Sequence, residues 1–287
     1  MRLTLDATPD PAIRTALFAA IDTYNDAASG RPEPAGHLTI VLRDAAGAIE
    51  GGLVGISYYD WLIVEMLFVP EGRRGQGLGR RLMRAAEAVA ARLGCIGVWL
   101  DTTSPAARGF YERLGYDVFA TLPDQPRGHA RWWMARRGLA DGATGGLEIL
   151  AERDAATVAV VGRALGAEGD ALFGPDSGRA NLAVLAEADD GQRAGALWMV
   201  ARRDWLFLDL FVLDESARRQ GVGGRMLALA EAEARRRGCV GVWLDTYGFQ
   251  ARPFYERHGY RLFGALADHP LSHGRFYLAK RFQDATA

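Results

Sequence analysis

Val69-Pro-Glu-Gly-Arg-Arg74-Gly-Gln-Gly77-Leu-Gly79-Arg-Arg81 joins an apolar run, Leu62 to Val69, to a long helical stretch, Gly79 to Leu93, through a loop almost stripped of side chains. Glycine permits the positive φ values that turn successive N–H groups towards one point, and it lets a ligand approach the main chain without meeting a Cβ. The helix that follows leaves its first N–H groups unpaired and carries a partial positive charge at that end. A phosphate or pyrophosphate is the natural occupant of such a loop. A single copy is also compatible with nothing more than a tight strand-to-helix turn.

The chain carries this stretch twice. Moving forward 144 residues gives Leu213-Asp-Glu-Ser-Ala-Arg218-Arg-Gln-Gly221-Val-Gly223-Gly-Arg225. Glu65-Met-Leu-Phe-Val precedes the first copy, and Asp209-Leu-Phe-Val-Leu precedes the second. Between Cys95 and Tyr116, 15 of 22 residues are identical to those 144 later, and no gap is needed from Leu3/Leu147 to Arg137/Arg281. This is a tandem duplication of a unit of about 140 residues, a comfortable size for an independent core. The segment Gly138-Leu-Ala-Asp-Gly-Ala-Thr-Gly-Gly146 is small, polar and glycine-rich. The expected organisation is therefore a first domain over 1–138, a linker over 139–146 and a second domain over 147–287.

A length of 287 residues suits two domains, and 34 basic against 35 acidic side chains argues against nucleic acid as a partner. The sequence has no apolar run of membrane-spanning length and no basic segment leading into a short apolar one, so the expectation is a soluble, cytoplasmic protein without a membrane partner. Cys95 and Cys239 sit in matching Gly-Cys-(Ile/Val)-Gly-Val-Trp contexts. Each reads as a small residue at a strand entry, with neither a disulfide nor a metal site expected.

Periodicity predicts a strand at Leu3 to Asp6 and a helix at Pro9 to Ala27, with Ile13, Leu17, Ile21 and Tyr24 among its apolar positions. After loop residues 29–36 come three strands, His37 to Arg43, Gly51 to Tyr59 and Leu62 to Val69, expected as an antiparallel meander. The helix Gly79 to Leu93 stops at Gly94, a buried-type strand follows at Ile96 to Asp101, and a helix from Pro105 to Leu114 stops at Gly115. Strands at Val118 to Leu122 and Arg131 to Ala135 close the unit, and the order β-α-β-β-β-α-β-α-β-β recurs from Leu147 to Arg281. The expected class is α/β, two tandem units, each a mixed and mostly antiparallel sheet flanked by helices.

Arg-x-x-Gly-x-Gly (Arg74, Gly77, Gly79; Arg218, Gly221, Gly223), the downstream Phe-Tyr-Glu-Arg-x-Gly-Tyr (Phe110 to Tyr116; Phe254 to Tyr260) and this element order together resemble the GNAT superfamily of N-acetyltransferases, as a tandem two-domain member. The resemblance covers essentially the whole chain, twice. The second copy also resembles a bacterial subgroup carrying Leu-Asp-Thr-x-x-Phe-Gln-Ala, at Leu244 to Ala251.

The resemblance implies that acetyl-CoA or another acyl-CoA lies where the strand before the glycine loop splays from the strand at Ile96 to Asp101. The pyrophosphate would rest on main-chain N–H groups of Gly75, Gln76, Gly77, Leu78, Gly79 and Arg80, with Arg74 nearby. In the second copy the same role falls to Gln220, Gly221, Val222, Gly223, Gly224 and Arg225, with Arg218 and Arg219 nearby. The pantetheine arm would pair like an extra strand along Leu67, Phe68 and Val69, and along Phe211, Val212 and Leu213. An amide near Val69 or Leu213 would then polarise the thioester carbonyl. Many family members place an asparagine against the pantetheine where this chain has Ser104 and Gly248; serine keeps that hydrogen bond and glycine does not.

The implied chemistry is direct attack by a primary amine, which must lose a proton, with an acid to meet the departing thiolate. Tyr111 and Tyr255 match the family's tyrosine acid, although a tyrosine on an amphipathic helix also packs as plain core. Glu65 and Asp209 are the base candidates, and a strand-edge position is an equal reading for both. Asp101 and Asp245 close a strand near the cleft and either hold an acceptor amine or serve a helix start, where capping suits Thr102 or Ser104. His129 and His273, in matched Pro-x-x-His loops, are further base candidates. Trp61 and Trp205 read as core or interface packing.

The leading expectation is an acyl-CoA-dependent N-acetyltransferase acting on a small-molecule or peptide amine, as a monomeric pseudo-dimer or a homodimer. The alternatives are a non-catalytic acyl-CoA-binding or assembly module, or one catalytic domain beside a degenerate one. A dinucleotide-binding domain fits less well, because a meander precedes the glycine loop and no βαβ repeat with an acidic ribose ligand follows. Near-neutral charge leaves the acceptor open.

Overall fold

A computed structural model describes residues 1–30, 36–139, 142 and 144–282. Residues 31–35 of the expected first loop and residues 140, 141 and 143 of the expected linker lie outside the described residues. The first half runs β1 (Arg2–Asp6), α1 (Pro11–Ser29), β2 (Gly36–Arg43), β3 (Ile49–Tyr58), β4 (Trp61–Phe68), α2 (Leu78–Arg92), β5 (Gly97–Thr102), α3 (Pro105–Arg113), β6 (Asp117–Pro123) and β7 (Ala130–Arg137). The second runs β8 (Glu148–Leu150), α4 (Ala155–Phe173), β9 (Ala180–Glu187), β10 (Arg193–Arg202), β11 (Trp205–Leu213), α5 (Val222–Arg236), β12 (Gly241–Tyr247), α6 (Arg252–Arg257), β13 (Arg261–Ala267) and β14 (Gly274–Arg281). The class is α/β, with one mixed 14-stranded sheet in the order β1-β9-β10-β11-β12-β14-β13-β6-β7-β5-β4-β3-β2-β8, antiparallel except where β4 runs parallel to β5 and β11 parallel to β12. Among the described residues no helix is long and apolar enough to cross a membrane.

The duplicated sequence and the packed halves do not coincide. β1 pairs antiparallel with β9, Arg2 opposite Glu187 through Asp6 opposite Ala183, and β8 pairs with β2, Thr39 opposite Leu150. Each repeat thus lends its first strand to the other. The helices follow, because Ile13 and Leu17 of α1 bury against Ala183, Ala196, Trp198 and Leu210, while α4 packs on β3 and β4. The seats differ: the first-half positions matching Ala183, Ala196, Trp198 and Leu210 are Thr39, Gly52, Val54 and Met66, and the second half adds polar ties to α1 through Asp209, Phe249 and Gln250.

The two halves of the sheet meet at a seam. β13 touches β6 at Gly264 opposite Ala120, and a Cβ on Gly264 would overlap that of Ala120. Behind the seam lies an aromatic core containing Trp61, Trp99, Trp133, Trp205, Trp243 and Tyr277. Its ties are reciprocal: Trp61 Nε1 donates to Asp268 O at 2.7 Å, and Trp205 Nε1 donates to Asp124 O at 2.6 Å. Trp61 and Trp205 therefore pack at the interface of the halves. Gly264→Val is expected to cost about 1–3 kcal/mol by overpacking this seam, read as a lower midpoint in urea, whereas an unchanged midpoint would mean that the halves do not touch there.

Candidate active site

β4 and β5 pair in parallel from Trp61/Gly97 to Val64/Leu100 and then separate, so Glu65 to Phe68 leave their neighbour. At the same point the register against β3 slips: Gly55 faces Val64 and Val54 faces Met66, which leaves Glu65 as the extra residue of a β-bulge. β11 repeats the device, with pairing to β12 ending at Leu208/Leu244 and Asp209 skipped between Trp198/Leu210 and Met199/Leu208. A bulge of this kind re-aims a side chain beside an opening.

The glycine loop that follows β4 has the geometry of an anion cradle. Gly75 (φ +76°) and Gly77 (φ +77°) are left-handed, Gly77 caps α2 without any side-chain hydrogen bond, and a Cβ built on either would meet nothing within 4 Å. The third glycine serves packing, since a Cβ on Gly79 would lie 3.2 Å from Phe110 Cζ, and one on Gly223 3.2 Å from Phe254 Cζ. This contact ties each loop to its Phe-Tyr-Glu-Arg helix. In the second copy Arg219 replaces Gly75 and holds φ +58°.

The loop side chains brace their own turn. Arg74 Nε donates to Val69 O at 3.0 Å and Arg218 Nε to Leu213 O at 2.8 Å; Gln76 Nε2 donates to Gly72 O at 3.2 Å and Gln220 Nε2 to Ser216 O at 2.6 Å. Ser104 caps α3, accepting from Ala107 N at 3.3 Å, and Thr102 Oγ1 accepts from Ser104 N at 3.1 Å.

A cleft of about 870 Å³ runs from this loop along the freed end of β4 to Asp101, Ser104 and Tyr111. Its far wall comes from the other repeat, with Leu165 to Phe173 of α4 and Arg202 and Arg203 at the end of β10. Two ion pairs hold α4 against the cleft, Arg153 with Glu65 and Glu168 with Arg74. The helix start is fixed independently: Asp154 accepts from Thr157 N at 2.7 Å, and Thr39 Oγ1 donates to Glu152 O at 2.7 Å.

Tyr111 stands in the cleft wall, 7 % exposed, edge-on to Phe110 (5.1 Å) and Tyr116 (5.9 Å). Burial, and then the negative charge of Asp101, push its phenol well above the usual tyrosine value. Tyr255 is raised in the same way, by burial and Asp245. Asp101 is occupied, for Arg131 Nε donates to its Oδ2 at 2.7 Å, and Arg275 Nε meets Asp245 Oδ2 at the same distance.

In the second half the matching positions carry aromatic side chains and polar contacts with α1. Burial raises the Asp209 carboxyl, opposed by Arg14, whose Nε donates to Oδ2 at 2.8 Å. Tyr24 of α1 donates to Phe249 O at 3.2 Å, and Gln250 Nε2 donates to Asn25 Oδ1 at 2.7 Å. Tyr59 is 0 % and Tyr247 6 % exposed, their rings edge-on at 5.7 Å, with Phe249 stacked on Tyr247 at 5.4 Å. The positions 144 away from Tyr59, Tyr247, Phe249 and Gln250 are Arg203, Thr103, Pro105 and Ala106, of which Arg203, Thr103 and Ala106 line the first cleft.

The sequence-predicted residues divide accordingly. Glu65, Leu67, Phe68, Val69, Arg74, Gly75, Gly77, Leu78, Gly79, Arg80, Ser104 and Tyr111 line one cleft. His129 lies exposed, edge-on to Phe173, outside that lining, and His273 packs on Phe249. Sequence reasoning missed Arg131, Arg202, Arg203 and His269. Arg131 carried a signal, since it recurs as Arg275; Arg202 and Arg203 carried none, since their counterparts are Tyr58 and Tyr59. His269 is fully buried, and burial followed by the charge of Arg275 holds it well below the usual histidine value, hence neutral.

One family model matches more than half of the chain. The family model described as "Acetyltransferase (GNAT) family" matches residues 7–116 and 159–260. An acetyltransferase of Agrobacterium fabrum is 38% identical over 132 residues, which is 46% of this chain and 93% of that protein. The blasticidin-S acetyltransferase of Streptomyces morookaense is 48% identical over 83 residues, 29% of this chain and 61% of that protein. Among solved structures, an acetyltransferase from Agrobacterium tumefaciens is 34% identical with a TM-score of 0.46, covering 48% of this chain and 100% of its own.

Proposed function

The chain belongs to the acetyltransferase (GNAT) family, and from that premise we propose that it is an N-acetyltransferase using acetyl-CoA whose transfer to a small-molecule primary amine takes place in the first cleft. The observation that carries this reading is the difference between the halves: the first cleft is open from glycine loop to Tyr111, while Tyr59, Tyr247, Phe249 and the Gln250–Asn25 bond occupy the equivalent acceptor end of the second. The second half then serves the first, lending α4 as its wall and keeping a glycine loop of its own.

The residues fit the cofactor, because the cradle at Gly75 and Gly77 is open in just the places that a side chain would fill. Bound acetyl-CoA supplies an activated acyl group and a thiolate leaving group. The main-chain N–H groups from Gly75 to Arg80, at the positive end of α2, hold the diphosphate. Glu65, exposed at its bulge, accepts a proton from the acceptor ammonium, directly or through water, and Arg153 holds that carboxylate in place. Tyr111 keeps its proton at neutral pH and delivers it from Oη to the leaving sulfur.

A thiol-release assay over a panel of primary amines tests the reading: acetyl-CoA with at least one amine should release free CoA above hydrolysis, and no release with any amine would sink it. Gly77→Val should weaken acetyl-CoA binding about 10-fold or more, since a β-branched residue resists left-handed backbone and projects into the cradle. Calorimetry checks this, and undiminished affinity would place the diphosphate elsewhere.

A further inference from the structure

The first cleft is lined by seven arginines, Arg73, Arg74, Arg80, Arg113, Arg131, Arg202 and Arg203, against three acids, Glu65, Asp101 and Glu168. The glycine-loop arginines face the cofactor. Arg131 comes from β7 and pairs with Asp101 of β5, while Arg202 and Arg203 come from the second repeat. Two of these three are already occupied. Arg131 spends Nε and Nη2 on Asp101 Oδ2 at 2.7 and 2.6 Å, and its guanidinium lies over Trp133 and Trp243. Arg203 donates to Gly174 O and Asp170 Oδ1, both at 2.9 Å, which ties the turn after β10 to the end of α4.

Arg202 differs. Its one ion pair among the described residues is loose, with Nε 3.8 Å from Asp176 Oδ2 and beyond hydrogen-bond reach, while the other oxygen of Asp176, Oδ1, accepts from Arg203 N at 3.0 Å. Just over half of its side chain, 53 %, is open. Partial burial, and then the like charges of Arg131 and Arg179, push its guanidinium below the usual arginine value, against the weaker pull of Asp176 and Asp101. A cation so placed gains most from a visiting anion. The fold itself does not require it. In the second half Asp245 and Arg275 form the same pair as Asp101 and Arg131, yet the positions matching Arg202 and Arg203 hold Tyr58 and Tyr59.

We propose that Arg202, reaching in from the second repeat beside Arg131, recognises an anionic group on the acceptor, so that the first cleft acetylates amines carrying a carboxylate or a phosphate. The inference rests on the acetyltransferase reading above. It gives the domain exchange a chemical use, since the repeat that supplies the glycine loop and Tyr111 does not supply the acceptor's anchor.

The test compares amines as matched twins: α-amino acids against their carboxamides for the carboxylate arm, and O-phosphoethanolamine against ethanolamine for the phosphate arm. Expected is a preference in kcat/KM of about 10-fold or more for the anionic member in one arm, carried by KM. Arg202→Gln should collapse that preference towards one, with kcat for the anionic member little changed, and Arg202→Lys should restore part of it. Equal use of both twins in both arms, or a preference untouched by Arg202→Gln, overturns the proposal while leaving acyl transfer standing. A second readout is independent of turnover, namely calorimetry of the N-acetylated twins with the CoA-loaded protein. Tighter binding of an anionic product, lost in Arg202→Gln, supports the anchor; equal binding of both members, or of neither, overturns it. Absence of CoA release with every amine is instead the failure of the acetyltransferase reading.

Discussion

Tyr111→Phe is expected to lower kcat by about 100-fold or more, while Tyr255→Phe leaves it within about twofold, because the proposed transfer takes place in the first cleft, whose wall includes Tyr111. The change removes one oxygen and keeps the ring on Phe110 and Tyr116, so the thermal midpoint should barely move. The pH dependence follows from the direction of the shift. A phenol raised above its unfolded value stays protonated through neutral pH, and any advantage of that protonated form is lost only as pH rises through the raised value. The rate plateau should therefore extend past pH about 10, the ordinary tyrosine value, without an earlier fall due to Tyr111. Full activity in the Tyr111→Phe variant, or an equal loss in Tyr255→Phe, would refute the division of labour between the halves.

The second large effect concerns the exchange of helices. Leu17→Ala should cost about 2–5 kcal/mol, since Leu17 is 6 % exposed against Trp198 and Leu210, and a cavity there cannot easily collapse. Hydrogen exchange locates the damage. Loss of protection should appear in β9, β10 and β11, elements of the second repeat, although the substitution lies in the first. Loss confined to β2, β3 and β4 would mean that α1 folds back on its own repeat.

Much of the fold was legible. The glycine loops, the Phe-Tyr-Glu-Arg helices and the gapless 144-residue offset each limit the backbone locally, and the predicted strands and helices match the observed ones within a few residues. The exchange of β1 and α1 was not legible, because an apolar stripe such as Ile13 and Leu17 does not by itself name the sheet it packs on. That Tyr111 and the glycine loop of Gly75 and Gly77 line one cleft was readable from motif spacing. The bulge that exposes Glu65 depends on a register slip against β3, which the alternation of residues does not reveal. Arg202 and Arg203 looked like the close of a strand before the Asp204-Trp205 turn, and only the fold brings them to the cleft of the other repeat.

The central claim, one working cleft assembled from both repeats, is tested most directly by a crystal structure of the protein with bound CoA. The account predicts the diphosphate on the N–H groups of Gly75 to Arg80, the sulfur within hydrogen-bond reach of Tyr111 Oη, and α4 of the second repeat along the ligand. An unfilled first cradle, or a sulfur found only beside Tyr255, would contradict it.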